Sequence, residues 1–226
     1  EGEVKEGYME SLSVRPGQQF KKPADSLTVT QLFASKVTKN GTAALPEPVN
    51  ISDRMPKDIV DNTPTTYDPE HDALDYWESL EGMLTTVKKP RVLGPQYRGD
   101  IYLLPAGYQE LPLNNIGGVN LRPNAQNTAT IPVYVGNKFI AKAKDYFNED
   151  VSGVVTYRSK VYKLEPTKLP DLQDGGLQRE VSKLYPSEDK LTIASYNIEN
   201  FSANNAAGET PDAKVEKIAK SFINEI

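Results

Sequence analysis

The side chains best suited to chemistry form a short run, Asn197-Ile198-Glu199-Asn200, which directly follows a hydrophobic segment. Asn197 offers a carbonyl oxygen and two N–H donors, which suit a phosphate oxygen or a metal-bound water. Glu199 offers a hard carboxylate of the kind that Mg²⁺ and Ca²⁺ prefer. On an extended backbone these two side chains point to the same face. The run is therefore either half of a phosphate and metal site or a strand-end turn with a solvated Glu.

The elements around this run have the pattern of the start of an α/β unit. Leu191–Tyr196 is short and hydrophobic and predicts a strand, and strand ends are where α/β proteins place their chemistry. Thr210-Pro211-Asp212 then supplies a helix start, and apolar residues at helical spacing follow it to Ile226. The sequence contains no partner strand for Leu191–Tyr196, so we expect only a partial α/β segment.

The chain as a whole has a turn-rich composition typical of β proteins, with 17 prolines and 15 glycines among its 226 residues. Arg158-Ser159 separates two β-rich runs and predicts a hairpin turn, and Pro166 and Pro170 are expected to end that hairpin. The segments predicted to form strands are Leu27–Phe33, Met83–Val87, Asp100–Leu104, Lys138–Ala143, Val151–Tyr157 and Lys160–Leu164.

One helix is predicted within this β-rich region. Asp68 is a candidate N-cap and Pro69 suits the first helical position, while Gly82 is expected to end the helix. Trp77 and Leu80 share its apolar face, which favours a role in the core over a role in ligand stacking.

These patterns predict a mainly β fold: an OB-like barrel or small β-sandwich with one embedded helix, followed by a partial α/β segment of one strand and one helix. We interpret the chain as four segments. They are the end of a preceding β segment (1–26), an OB-like accessory domain (27–170), a linker (171–190) and the start of a truncated catalytic domain (191–226).

The run Leu191 to Phe201, LTIASYNIENF, resembles the opening strand of the DNase I-like endonuclease/exonuclease/phosphatase superfamily, in the form found in secreted bacterial nucleases. Upstream, the stretch WESLEGML beginning at Trp77 and the proline-terminated hairpin resemble the β domain that precedes the catalytic domain in those nucleases. The resemblance implies that Asn197 is a catalytic residue beside the scissile phosphate. It also implies that Glu199 and Asn200 are metal ligands.

The remaining catalytic groups of that superfamily are missing from this sequence. Its second-strand Glu and its paired His and Asp would lie beyond Ile226, and the only histidine, His71, is far upstream of the motif. Hydrolysis needs both a metal site and a base to deprotonate water. We therefore expect Mg²⁺ or Ca²⁺ in the full-length parent nuclease, and neither a cofactor nor turnover in this chain alone.

A local basic patch is the only route to DNA that the composition leaves open, because the net charge of −5 excludes a surface that is basic throughout. Two basic clusters with Tyr97 and Tyr146 nearby are candidates for contact with a DNA backbone. Alternatively, these charges serve only solubility. The candidate DNA-binding residues are Lys88, Lys89, Arg91, Arg98, Lys138, Lys142 and Lys144.

Compartment and partners follow from the same observations. The chain has no cysteine, which excludes disulfides and thiolate metal sites and by itself favours a cytosolic protein. The resemblance to secreted nucleases is more specific, so we expect an extracellular or cell-surface location. No apolar run is long enough to insert into a membrane, and a monomer is expected. The competing functions are a structural spacer and a cell-surface module that binds carbohydrate or protein.

Overall fold

The computed structural model describes residues 1–9, 11, 14–22, 24–60, 65–108, 112–121, 123, 127–185, 187–198, 201 and 210–225. The chain divides into two compact units, Glu1–Leu177 and Gln178–Ile226. Within the described residues neither helix has the length and apolar character needed to cross a membrane.

The first unit is mainly β, as the sequence predicts, and carries a single helix within its described residues. Its elements are β1 (Gly2–Gly7), β2 (Val29–Ala34), β3 (Val49–Asn50), α1 (Ala73–Ser79), β4 (Leu84–Val87), β5 (Arg91–Val92), β6 (Asp100–Leu104), β7 (Ile131–Tyr134), β8 (Tyr146–Phe147), β9 (Val151–Arg158), β10 (Val161–Lys168) and β11 (Leu172–Gln173).

The strands form two sheets. β1 and β2 make an antiparallel pair, and the other strands form a curled, half-barrel sheet in the order β11-β8-β5-β6-β7-β10-β9-β4-β3. Most neighbours are antiparallel, but β7 with β10 and β3 with β4 are parallel. The unit therefore extends beyond the predicted accessory domain at both ends, since β1 pairs with β2 and β11 pairs with β8.

Alternation along the long strands separates a core face from an outward face. In β9, Val151, Val155 and Tyr157 are buried, whereas Val154 and Arg158 are exposed. Each fully buried aliphatic side chain contributes about 1.5–3 kcal/mol relative to an exposed one. Apolar residues of β6, β7 and β10 complete the same core, which fixes the register of the sheet and hence the residues that face outward.

Helix α1 begins at Ala73, so the prediction that Asp68 caps it is wrong. Asp72 is the N-cap, and its carboxylate accepts hydrogen bonds from the backbone N–H groups of Leu74 (2.8 Å) and Asp75 (3.1 Å). Asp68 instead accepts from the N–H of Glu70 within the preceding turn. Asp72 is the cap because its carboxylate reaches two free N–H groups of the first helical turn.

The apolar face of α1 lies in the core, as predicted, and two carboxylates at its C-terminal end make hydrogen bonds to other elements. Trp77 and Leu80 are both buried. Glu81 accepts the backbone N–H of Thr30 in β2 at 2.8 Å, and Glu78 accepts the hydroxyl of Tyr162 in β10. Burial raises the pKa of both carboxyls. These contacts attach β2 and β10 to the helix.

The segment Lys138–Ala143 is not a strand, contrary to the prediction. The backbone N–H of Lys142 donates to the carboxylate of Asp145 at 2.9 Å, and the carbonyl of Gly136 accepts from the N–H of Phe139. These local bonds occupy groups that a sheet ladder would use, so alternating apolar residues alone did not make a strand.

The predicted hairpin of β9 and β10 is confirmed, but its turn and its end differ from the prediction. The turn falls one residue later, at Ser159-Lys160, where both residues have positive φ (56° and 66°) as a type I′ turn requires. β10 continues past Pro166 to Lys168 through an irregularity in the pairing. The proline is tolerated because Gly153 faces it across the ladder.

The second unit contains helix α2 (Pro211–Glu225) but not the predicted strand. The side-chain oxygen of Thr210 accepts the N–H of Ala213 at 3.3 Å, which confirms the predicted helix start. Leu191–Tyr196 pairs with no strand in the described part of this unit. The physical reason is that a strand gains its backbone hydrogen bonds only from a neighbour.

Candidate nucleic-acid interface

The predicted DNA-binding cations differ in whether their side chains are already paired with carboxylates. Lys142 donates to Asp174 at 2.6 Å, and this hydrogen bond raises the pKa of the lysine. Asp145 lies 3.8 Å from the same ammonium group. Lys142 is therefore already neutralised by two carboxylates and is a poor candidate for contact with DNA.

Other cations of these clusters serve the fold around β5. Arg91 lies in β5 and is half-buried, and burial lowers its pKa. The backbone N–H of Lys144 donates to the carbonyl of Val92 at 3.2 Å, which holds this residue against β5. Lys89 donates its backbone N–H to the carboxylate of Asp150 at 3.1 Å. The backbone N–H groups of Lys89 and Lys144 thus make hydrogen bonds that hold the chain near β5.

Arg98 differs from the others because it lines an open cleft of about 430 Å³ on the outward face of the sheet. We call it the tyrosine cleft, after the rings that surround it. Three tyrosines and three cations contribute to it: Tyr97, Tyr102, Tyr134, Arg98, Arg158 and Lys163.

A tight turn positions the first of these residues. The backbone groups of Tyr97 and Asp100 hydrogen-bond to each other at 2.9 and 3.0 Å, which closes a hairpin just before β6. Arg98 and Gly99 between them have φ values of 52° and 92°, the positive pair that a type I′ turn requires. Arg98 therefore stands at the tip of the hairpin with its guanidinium carbon 5.2 Å from the centre of the Tyr97 ring.

The pairing of β6, β7 and β10 positions the other residues that line the cleft. Asp100 pairs with Tyr134 and Tyr102 pairs with Pro132 across β6 and β7, so these residues share the outward face. Leu164 of β10 pairs with Val133 on the core side. Because side chains alternate along a strand, Lys163 falls on the same outward face as Tyr134.

The charges of the cleft are mostly paired. Lys163 is 2% exposed and donates to Asp100 at 2.6 Å, while Arg158 lies 3.6 Å from Glu165 and 4.7 Å from the centre of the Tyr134 ring. Arg98 has no carboxylate within 4.0 Å in the part of the chain that the structure describes. The cleft therefore keeps one unneutralised cation beside an exposed tyrosine.

Sequence reasoning found Arg98 and Tyr97 but missed the rest of the cleft. Tyr102 could have been found, because it is the outward residue between buried Ile101 and Leu103 in a predicted strand. Lys163 and Arg158 carried no such signal, since their approach to β6 depends on the parallel pairing of β7 with β10.

The predicted catalytic run lies at the edge of what the structure describes. Asn197 is exposed, whereas Glu199 and Asn200 lie outside the described residues. Nearby, the hydroxyl of Tyr196 hydrogen-bonds to that of Ser221 in α2 at 3.0 Å. Among the described residues no three His, Cys, Asp or Glu side chains come together as a metal site. The metal role of Glu199 and Asn200 therefore stays a prediction.

Comparison with known proteins places the first unit in a family. Residues 37–174 match a family described as a domain of unknown function, DUF8508, and the match spans more than half of the 226 residues. The chain belongs to this family. The three tyrosines and three cations of the tyrosine cleft lie inside the DUF8508 domain, whereas β1, β2 and the second unit lie outside it. No curated protein and no solved structure matches the chain.

Proposed function

We propose that the DUF8508 domain is the non-catalytic, DNA-binding accessory region of an extracellular, metal-dependent DNA nuclease, and that it contacts DNA at the tyrosine cleft. The observation that carries the proposal is Arg98, a cation without a carboxylate partner among the described residues, stacked on exposed Tyr97. Guanidinium groups bind phosphate oxygens, and aromatic rings bind bases.

Local charge supports this choice of surface. The whole chain carries −5, so binding to a polyanion requires a region where cations outnumber acids. In the cleft, Lys163 is paired with Asp100 and Arg158 with Glu165, which leaves Arg98 in excess. In the other predicted cluster, Lys142 is already paired with Asp174.

Arg98→Ala is expected to reduce the dependence of log affinity on log salt concentration by about one unit, because one phosphate contact is lost. The measurement is fluorescence anisotropy of a labelled oligonucleotide at several salt concentrations. Arg15→Ala, at an exposed arginine outside the DUF8508 domain, is the matched control and should leave the slope unchanged. An unchanged slope in Arg98→Ala would contradict the placement of DNA in this cleft.

The nuclease part of the proposal is supported by the resemblance of Leu191 to Phe201 to a catalytic opening strand. In the proposed nuclease, Glu199→Ala is expected to lower Mg²⁺-dependent DNA cleavage by about 100-fold, because a hard oxygen ligand is lost. Cleavage is measured on supercoiled DNA, with Glu188→Ala as an exposed control in the same unit. Full activity of Glu199→Ala would remove the assigned metal role.

The same binding assay separates the alternatives. A structural spacer would bind no oligonucleotide even at low salt. A module for carbohydrate would bind glycans with an affinity that does not depend on salt, because neutral sugars release no counterions. Either result would replace the DNA-binding proposal.

A further inference from the structure

Two tyrosines of the tyrosine cleft, Tyr97 and Tyr102, have a large part of their surface exposed to solvent. Tyr97 is 66% exposed and Tyr102 is 41% exposed, and both line the cleft. A ring left in water forgoes the apolar burial that aromatic side chains ordinarily supply. Both rings are therefore available as flat surfaces for a ligand.

The third ring, Tyr134, has a structural role instead. A Cβ atom at Gly99 would lie 2.7 Å from its Cε2 atom, so the ring packs closely over the backbone of the turn. Arg158 covers it at 4.7 Å. Tyr134 thus braces the hairpin tip and leaves Tyr97 and Tyr102 as the free platforms.

We infer that the tyrosine cleft takes DNA as a single strand, with bases stacked on Tyr97 and Tyr102 and a backbone phosphate held by Arg98. The inference rests on the proposed function and adds the form of the substrate. In a duplex the base faces are covered by neighbouring bases, so exposed rings find nothing to stack on. A duplex offers this cleft only phosphates and groove edges.

The position of Arg98 fits this arrangement. Its guanidinium lies against the Tyr97 ring at the hairpin tip, and Tyr97 as a whole remains 66% exposed. A base on the open side of Tyr97 would place its own phosphate near the tip, where Arg98 is the free cation of the cleft. The cleft volume of about 430 Å³ is in the range of small-ligand pockets, which suits an unstacked base with its sugar.

The test compares three probes on the 226-residue chain: an oligothymidylate of about 12 nucleotides, an abasic strand of equal length, and a duplex of equal length. We expect the oligothymidylate to bind on the order of 10-fold more tightly than either other probe. Equal binding of the abasic strand or the duplex would overturn the inference and leave the proposed function standing. No binding of any probe at low salt would overturn both.

Single substitutions test whether bases stack on Tyr97 and Tyr102. Tyr97→Ala and Tyr102→Ala should each weaken oligothymidylate binding about 10-fold and leave binding of the abasic strand unchanged. Tyr97→Phe keeps the ring and should bind oligothymidylate with an affinity close to wild type. Tyr67→Ala is the matched control, because Tyr67 is 60% exposed in the same unit and lies outside the cleft. Wild-type affinity in both cleft variants, or an equal loss in Tyr67→Ala, would overturn the inference.

Discussion

Asp100→Ala is expected to lower the free energy of unfolding of the first unit by about 3–5 kcal/mol. Its carboxylate is the hydrogen-bond partner of Lys163, whose side chain is 3% exposed, at 2.6 Å. Removing the carboxylate leaves a buried ammonium without a counter-charge. Urea unfolding followed by the fluorescence of Trp77, the only tryptophan and a core residue of this unit, measures the loss.

Two further variants make this result specific. Glu165→Ala removes the exposed partner of Arg158 and should cost less than about 1 kcal/mol, because surface ion pairs are screened by water. The double variant Asp100→Leu with Lys163→Met should recover most of the stability, since no buried charge remains. A loss below about 1 kcal/mol in Asp100→Ala would show that Lys163 is hydrated or moves out.

The pair also has an architectural meaning. Asp100 lies in β6 and Lys163 in β10, and β7 separates these strands in the sheet. The ion pair therefore spans β7 and ties together the strands that form the floor of the tyrosine cleft. One carboxylate oxygen of Asp100 is buried without a hydrogen-bond partner among the described residues, so the arrangement carries a cost.

Local signals in the sequence were sufficient for the hairpin and for the apolar face of α1. Both depend on residues close in the chain, such as Trp77 and Leu80 one turn apart or two strands joined by a tight turn. The helix cap was missed because Asp68 and Asp72 are equally good caps in isolation, and the choice between them depends on which one reaches the free N–H groups.

The tyrosine cleft could not be assembled from the sequence in the same way. Tyr97, Tyr134 and Lys163 belong to the β5–β6 turn, β7 and β10, and these meet only through the sheet order. The parallel pairing of β7 with β10 leaves no short-range pattern. The predicted strand Leu191–Tyr196 failed for the complementary reason: its composition is favourable, but it has no strand partner in the described residues.

Gly153→Ala is expected to destabilise the first unit by about 3 kcal/mol, the upper part of the usual range for overpacking. A Cβ atom at this position would lie 2.4 Å from the carbonyl oxygen of Glu165 and 2.7 Å from the Cα of Pro166. Both are backbone atoms of the paired strand β10, so relief requires the strands to separate. Urea unfolding followed by Trp77 fluorescence measures the effect.

Gly94→Ala is the matched control, because a Cβ atom there meets nothing within 4 Å. It should change stability by no more than about 0.5 kcal/mol. Equal stabilities of the two variants would mean that β9 and β10 adjust freely around Pro166. The expected contrast instead makes Gly153 the reason that β10 can pair with β9 on both sides of Pro166, and this pairing carries Lys163 into the cleft.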